Sequence, residues 1–299
     1  MTASPLVQAY LARLGCPARP PSAAALADLH RAQATLIPYE TTWLHLGEPW
    51  GIDPWESIER IVHRRRGGYC FHLNGALAVL LEALGYHVTL HRGGVHHHGP
   101  AAADIGGHLV LLVHDLPTAA NPGGVWYVDT GLGDALHEPL PLAAGRYRQG
   151  PMRFRLGPSP DGIGQWRFER LAGDVEGAMA PVSFEEATTS MGAFEAAHTR
   201  NATSPQSPFL RMVTAQRRPA TGSTVLRGRV LTTRRGDDVG RRAVTGRDDW
   251  FGVLAAQLDL SLTSAGSGAD ADALDRLWHH ASSVPLPDGL GAGTPDCVA

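Results

Sequence analysis

At Tyr86 the spacing of apolar residues changes, and that change constrains the fold of this 299-residue chain more than any other feature. Before it, Leu73, Leu77, Leu80, Leu81 and Leu84 recur at helical intervals from a start near Cys70, and Gly85 supplies the stop. After it, apolar residues alternate or form short runs bounded by Gly and Pro, as over residues 88–95, 108–113, 125–130 and 166–171. A helical segment followed by an antiparallel β segment is therefore expected. Two shorter helices are expected over 23–34 and 54–62, separated by the turn-like Ile37-Pro38-Tyr39-Glu40. Beyond the β-rich third, residues 181–210 read as helix then loop, 224–233 as a hairpin, and 248–258 and 271–280 as helices. Residues 263–270 read as a small-residue linker and 282–299 as a tail. With 35 glycines and 22 prolines the chain is far richer in turn formers than the usual share of about 12%, which argues against long bundles.

Charge narrows the chemistry. The 26 cationic residues are all arginine, against 29 carboxylates, giving a net charge of -3. The absence of lysine excludes Schiff-base chemistry and a phosphate-loop lysine. A near-neutral balance lacks the basic face of a nucleic-acid binder, and Arg64-Arg65-Arg66 is too short to supply one. No apolar run approaches the roughly 20 residues of a membrane span, and Met1 to Leu6 lacks a signal-peptide pattern, so a cytoplasmic, soluble protein is expected.

Of the three cysteines, Cys16, Cys70 and Cys297, none forms a Cys-x-x-Cys pair, so no disulfide framework or thiolate metal site follows. His96-His97-His98 reads as a solvated loop, since consecutive histidines rarely converge on one ion without further ligands. No metal is expected. Cys70 has a different setting, at a helix start behind Gly67 and Gly68, where the helix dipole and unpaired N–H groups favour a thiolate. His108 opens an apolar strand after Gly106-Gly107, and Asp129 closes the next. A cysteine, a histidine and an acid in that order can form an activated nucleophile, its base and the group that orients the base. His72 lies roughly 200° around the helix from Cys70 and faces away from it. Cys16 and Cys297 lack such a setting and read as bystanders.

Residues 64–71 with Asn74-Gly75, then His108, then Val128-Asp129-Thr130-Gly131-Leu132-Gly133, closely resemble the arylamine N-acetyltransferases. Ile37-Pro38-Tyr39-Glu40 resembles that family's Ile/Val-Pro-Phe-Glu segment. Glu138-Pro139-Leu140 and the stretch from Thr203 to Phe209 also match in order. The resemblance implies an α+β fold with a cysteine-protease-like catalytic core. It comprises an amino-terminal helical bundle (1–86), a central antiparallel β-barrel (87–190) and a carboxy-terminal α/β lid (191–281), before the tail (282–299). It implies Cys70 as acyl-accepting nucleophile, His108 as base and Asp129 as orienting acid. The acyl donor would be acetyl-CoA and the acceptor an aromatic amine or hydrazine.

The same resemblance places Ile105, Gly106, Gly131 and Gly133 where main chain can approach the donor, with a tight turn as the alternative for the last two. Tyr69 and Phe71 flank the thiol and either line an acceptor pocket or pack in the core. Two departures stand out: His72 replaces a glutamate that many members carry, with an altered arginine ion pair expected, and a histidine-rich loop over 93–107 precedes His108. An amide synthase of the same family, fed by an acyl carrier protein, is the alternative with identical catalytic residues. Papain-like or transglutaminase-like hydrolysis shares the residue order but not the Arg-Gly-Gly-Tyr-Cys-Phe context. A degenerate binding module is disfavoured because all three triad residue types are present.

Overall fold

The first two helices start on a side chain that satisfies free N–H groups. In the computed structural model, which describes residues 4–96, 104–171, 180–236, 238–262, 269–287 and 290, Ser4 caps α1 (Pro5–Leu14) and Ser22 caps α2 (Ala23–Leu36). A two-residue strand, β1 (Tyr39–Glu40), leads to α3 (Thr42–Leu46), α4 (Pro54–His63) and α5 (Cys70–Ala83). Within α5 only Val79, Glu82 and Ala83 escape burial. A helix apolar on nearly every side belongs in a core, and α5 sits between the other helices and the first sheet.

That sheet comprises β2 (His87–Val95), β3 (His108–His114), β4 (Trp126–Val128), β5 (Leu140–Pro141), β6 (Gly145–Gln149), β7 (Met152–Pro158), β8 (Trp166–Arg170) and β9 (Val182–Thr189). The strands pair antiparallel in the order β5-β4-β3-β2-β9-β8-β7-β6 and curl into a nearly closed barrel. Alternation orients them: Met152, Phe154 and Leu156 point inward from β7, with Arg153 and Arg155 outward. Stacked Tyr127 and Phe184, with Phe154 and Phe168, fill the interior.

A 3-10 turn (Met191–Phe194), α6 (Glu195–Thr203) and α7 (Pro208–Arg211) lead into β10 (Thr214–Arg217), β11 (Gly222–Arg227), β12 (Val230–Arg235) and β13 (Asp238–Ala243). Helices α8 (Arg247–Leu258) and α9 (Ala271–Ser283) supply Trp250, Leu254 and Leu277 to a separate core beneath this second sheet. The fold is thus α+β, with the helices, antiparallel barrel and mixed α/β segment expected from the sequence.

Two expectations are corrected. Residues 181–210 do not begin as helix: β9 occupies their first part, paired with β2 and β8. Its Glu185-Glu186-Ala187 composition suits a helix, but Val182 and Phe184 gain more by closing the barrel, an instance of tertiary packing overriding local preference. The segment read as a turn contains β1, whose Tyr39 and Glu40 pair with Gln216 and Ala215, so the amino-terminal third donates the first strand of the second sheet. Residues 263–268 of the linker, His97, His98, Cys297 and most of the tail lie outside the described residues.

Candidate active site

The approach to Cys70 leaves no room for side chains. A Cβ on Gly67 would sit 1.8 Å from the Pro38 carbonyl oxygen, and one on Gly68, whose φ is +115°, would meet the His72 ring at 2.5 Å. Only glycine fits both places. Buried Arg66 fixes the start of this turn, with Nε 3.0 Å from Glu40 Oε1, Nη1 3.0 Å from Glu48 Oε1 and its guanidinium stacked on Trp50. Cys70, 4% exposed, is then the first residue of α5.

His72 closes that helix start. Its Nδ1 accepts the Tyr69 N–H at 3.2 Å and its Nε2 donates to the Gly51 carbonyl at 3.1 Å, which requires a neutral ring. Burial first, then Arg60 and His198, hold its pKa well below 6.5. The departure from glutamate thus puts a neutral acceptor in the third helical position, where a capping box has its carboxylate.

His108 stands at the head of β3 and Asp129 follows β4, the adjacent strand. His108 Nε2 lies 2.7 Å from Asp129 Oδ2, both residues being almost fully buried. The other ring nitrogen, Nδ1, is left for the Cys70 side chain, which lies near enough to act on the His108 charge. Burial works against an imidazolium, but the Asp129 charge and the Cys70 sulfur outweigh it and raise His108 to about 10. Burial likewise opposes an Asp129 carboxylate, yet His108, Asn74 and Tyr127 keep it below its ordinary value.

Asp129 accepts three further bonds: Tyr127 Oη at 2.9 Å, Asn74 Nδ2 at 2.8 Å and the Gly131 N–H at 2.9 Å. Asn74 lies one turn beyond Cys70, binds the Leu109 carbonyl at 2.7 Å and accepts the Thr130 N–H at 2.9 Å. Gln33 Nε2 reaches Thr130 Oγ1 and the Leu73 carbonyl, and Tyr10 Oη reaches Gln33 Oε1. Helices α1, α2 and α5 are thereby bolted to the segment after β4 that carries Asp129. Sequence reasoning assigned no role to Asn74, Tyr127, Gln33 or Tyr10. The signals for the nearest two were present: Asn74 is four residues from Cys70 on a helix, and Tyr127 is two from Asp129 along an extended segment.

The other expected site residues have definite places. The Gly131 N–H is consumed by Asp129, and a Cβ there would fall 2.7 Å from Cys70 Cα, so this glycine lets the loop after Asp129 touch the helix that begins at Cys70. Gly133, with φ +73°, packs on Gln216 and Tyr39. Gly106 donates to the Gly93 carbonyl at 2.8 Å, and the Ile105 carbonyl accepts from Arg92 at 3.0 Å. Tyr69 and Phe71 are both buried, Tyr69 among Trp43, His72, His198 and Phe209 and Phe71 against Phe194. Tyr69 Oη is hydrogen-bonded to His198 Nδ1. Tyr39 is the neighbour the sequence did not nominate: burial, then the Cys70 sulfur, hold its phenol well above 10. His96 Nε2 meets Ser183 Oγ at 2.9 Å. Among the described residues no three His, Cys, Asp or Glu side chains gather as metal ligands, and no helix is long and apolar enough to cross a membrane.

Residues 22–266 match a family model described as N-acetyltransferase. A Salmonella typhimurium arylamine N-acetyltransferase / N-hydroxyarylamine O-acetyltransferase is 35% identical over 147 residues, 48% of this chain and 50% of that enzyme. The solved arylamine N-acetyltransferase of Salmonella typhimurium superposes with a TM-score of 0.80 at 25% identity, covering 93% of this chain and 99% of that one. The Mycobacterium marinum enzyme in complex with CoA gives 0.79 at 24% identity, covering 94% and 100%. By sequence, the match spans about half the length of the first curated relatives.

Proposed function

The chain belongs to the arylamine N-acetyltransferase family, and on that premise we propose that it moves an acetyl group from acetyl-CoA to an arylamine or arylhydrazine through a thioester on Cys70. The observation that carries this reading is His108 held by Asp129 at 2.7 Å, with the Cys70 sulfur near enough to favour its imidazolium. An imidazolium beside the sulfur stabilises negative charge on it and stores the proton the first leaving group needs.

In the first half-reaction the Cys70 sulfur attacks the thioester carbonyl carbon. The bond to the CoA sulfur breaks, and that sulfur takes the proton from His108. In the second, the amine nitrogen attacks the Cys70 thioester and gives its proton to His108. Cys70 leaves as thiolate, and the resting ion pair is restored. A poorly basic amine suits this step because it is unprotonated at neutral pH. Asp129, held by four donors, fixes the imidazole through its Nε2 throughout. The amide-synthase alternative is not favoured, since the matched relatives are named acetyltransferases. An acyl carrier protein gains no support.

Mass spectrometry after incubation with acetyl-CoA tests the reading. An acetyl adduct should map to Cys70, be absent from Cys70→Ala and discharge onto an added arylamine. An adduct retained in Cys70→Ala, or one that water removes as fast as the amine does, sinks it.

A further inference from the structure

Among the fully buried rings of the barrel core, Phe154, Phe168 and Phe184 carry no polar atom, whereas Tyr127 carries a hydroxyl. A buried hydroxyl costs free energy unless it is hydrogen-bonded, and a phenylalanine would fill the same place without that cost. The Tyr127 ring is held from two strands, stacked on Phe184 of β9 with centroids 5.1 Å apart and tilted against Phe168 of β8 at 5.4 Å. Residues two apart along an extended chain share a face, which aims the hydroxyl at Asp129. Among the described residues Asp129 Oδ2 is its one hydrogen-bond partner, at 2.9 Å.

The donors divide evenly over the carboxylate. Oδ1 accepts Asn74 Nδ2 and the Gly131 N–H, while Oδ2 accepts His108 Nε2 at 2.7 Å together with Tyr127. Without the phenol three donors remain, two of them on the far oxygen, so the carboxylate keeps its place. The Tyr127 hydroxyl therefore bears on how much charge Oδ2 presents to the imidazole. A donor sharing that oxygen stabilises the carboxylate and makes the neighbouring imidazolium less favourable. Cys70 on α5 is the other group that acts on the His108 charge. The remaining titratable groups facing this network keep one state around neutral pH. Tyr127, raised well above 10 by burial and then by Asp129, stays protonated and donates. His30 on α2 feels the Asp129 charge, but burial holds it at about 4, and Tyr39 on β1, beside Cys70, stays protonated well above 10.

We propose that the Tyr127 hydroxyl acts through Asp129 to loosen its hold on the His108 proton, so that one imidazole both releases and recovers that proton within a reaction cycle. Tyr127 is thus a positioning residue, and the inference rests on the acetyl-transfer reading. In that reading His108 Nδ1 gives its proton to the departing CoA sulfur and later takes one from the attacking amine. An imidazole that binds the proton too tightly does the first poorly. In the acetylated enzyme it is also already protonated when the amine needs a base.

Tyr127→Phe keeps the ring and removes the donor. NMR titration of the His108 ring reads the effect without turnover, in Cys70→Ala so that the sulfur no longer helps to hold the midpoint near 10. Adding Tyr127→Phe should raise that midpoint by about half to one pH unit, part of the roughly one to two units that a hydrogen bond to a charged group represents. In the enzyme that retains Cys70, discharge of the acetylated thiol by a weakly basic arylamine should show the same rise in the midpoint of its acid limb. Below that midpoint the rate should fall about three- to tenfold, the same shift expressed as a ratio, and above it the rate should recover. A purely structural role would lower the rate at every pH and leave both midpoints in place. An unmoved or lowered midpoint overturns the proposal. A 3-fluorotyrosine placed at Tyr127 covers the case in which Tyr127→Phe does not fold. Its phenol is a stronger donor of nearly the same shape, so the His108 midpoint should fall, and a midpoint that rises or stays overturns the proposal. Absence of any acetyl adduct on Cys70 would instead refute the acetyl-transfer reading, leaving the Tyr127 effect to be judged by the titration.

Discussion

Asp129 holds the His108 proton against a burial effect that would otherwise remove it. In Asp129→Asn the shape stays and the charge goes, so the His108 pKa should drop from about 10 to 6.5 or below, because burial is then opposed by less. Titration of the His108 ring by NMR reads this directly, and an unchanged midpoint refutes it. Cys70 acetylation should slow by on the order of 10³ to 10⁴, the scale seen when an orienting acid loses its charge. The sign runs the other way at His72, whose folded-state pKa is depressed. Its contribution to stability is complete above about 6.5 and declines as pH falls below that, because the unfolded chain takes up the proton first. His72→Phe keeps a ring but strands the Tyr69 N–H, which should cost about 1 to 3 kcal/mol and flatten that pH dependence. Equal denaturation midpoints for the two proteins across pH 5 to 8 would refute it. The grouping of Cys70, His108 and Asp129 was legible in the chain because few residue types suit such a cluster and these three mark the ends of periodic segments. Tyr39, Gln33 and Tyr10 were not, since nothing in a tyrosine or glutamine far along the chain announces which buried group it will meet.

At the scale of elements, α5 is both the best-signalled helix and the one with least freedom. Its leucines made it legible, and its burial on nearly every side explains why Gly131 must let β4 come so close. Gly131→Ala places a Cβ 2.7 Å from Cys70 Cα and 2.8 Å from Asn74 Nδ2, backbone on one side and an Asp129 donor on the other. Neither can retreat without moving Cys70 away from His108. The variant should fold at a cost of about 1 to 3 kcal/mol, as overpacked sites do, while Cys70 acetylation falls by far more than its loss of stability explains. Acetylation at the unmodified rate would show that the close approach has no part in positioning the sulfur. Strand β9 shows the opposite case: its apolar alternation is brief and its glutamates point to water, so the barrel partners that determine its state are invisible in its own residues.

The whole molecule is tied together by pairings too distant for any local pattern to encode. Strand β1 joins β10 across more than 170 residues, and its Glu40 N–H also bonds the Gly68 carbonyl at 2.9 Å, so one short segment links the second sheet to the turn that presents Cys70. Glu40 is fully buried, with Oε1 on Arg66 and Oε2 on the Thr42 N–H at 2.8 Å. Removing one member of a buried ion pair leaves the other charge uncompensated, at about 3 to 5 kcal/mol. Here Glu48, a second partner for Arg66 at 3.0 Å, softens that penalty. Glu40→Gln should therefore lower stability by about 3 kcal/mol in guanidinium denaturation. The loss should also appear in two places at once, with faster amide exchange in β10 and at the start of α5, because the backbone of Glu40 pairs with β10 while its carboxylate holds Arg66 ahead of α5. A variant within about 0.5 kcal/mol of the parent, the range of ordinary surface changes, would remove Arg66 and Glu40 as the joint. Faster exchange confined to β10 would mean that the second sheet can loosen while Cys70 stays in place, and the coupling between the sheet and Cys70 would have to run through Gly133 and Gln216 instead.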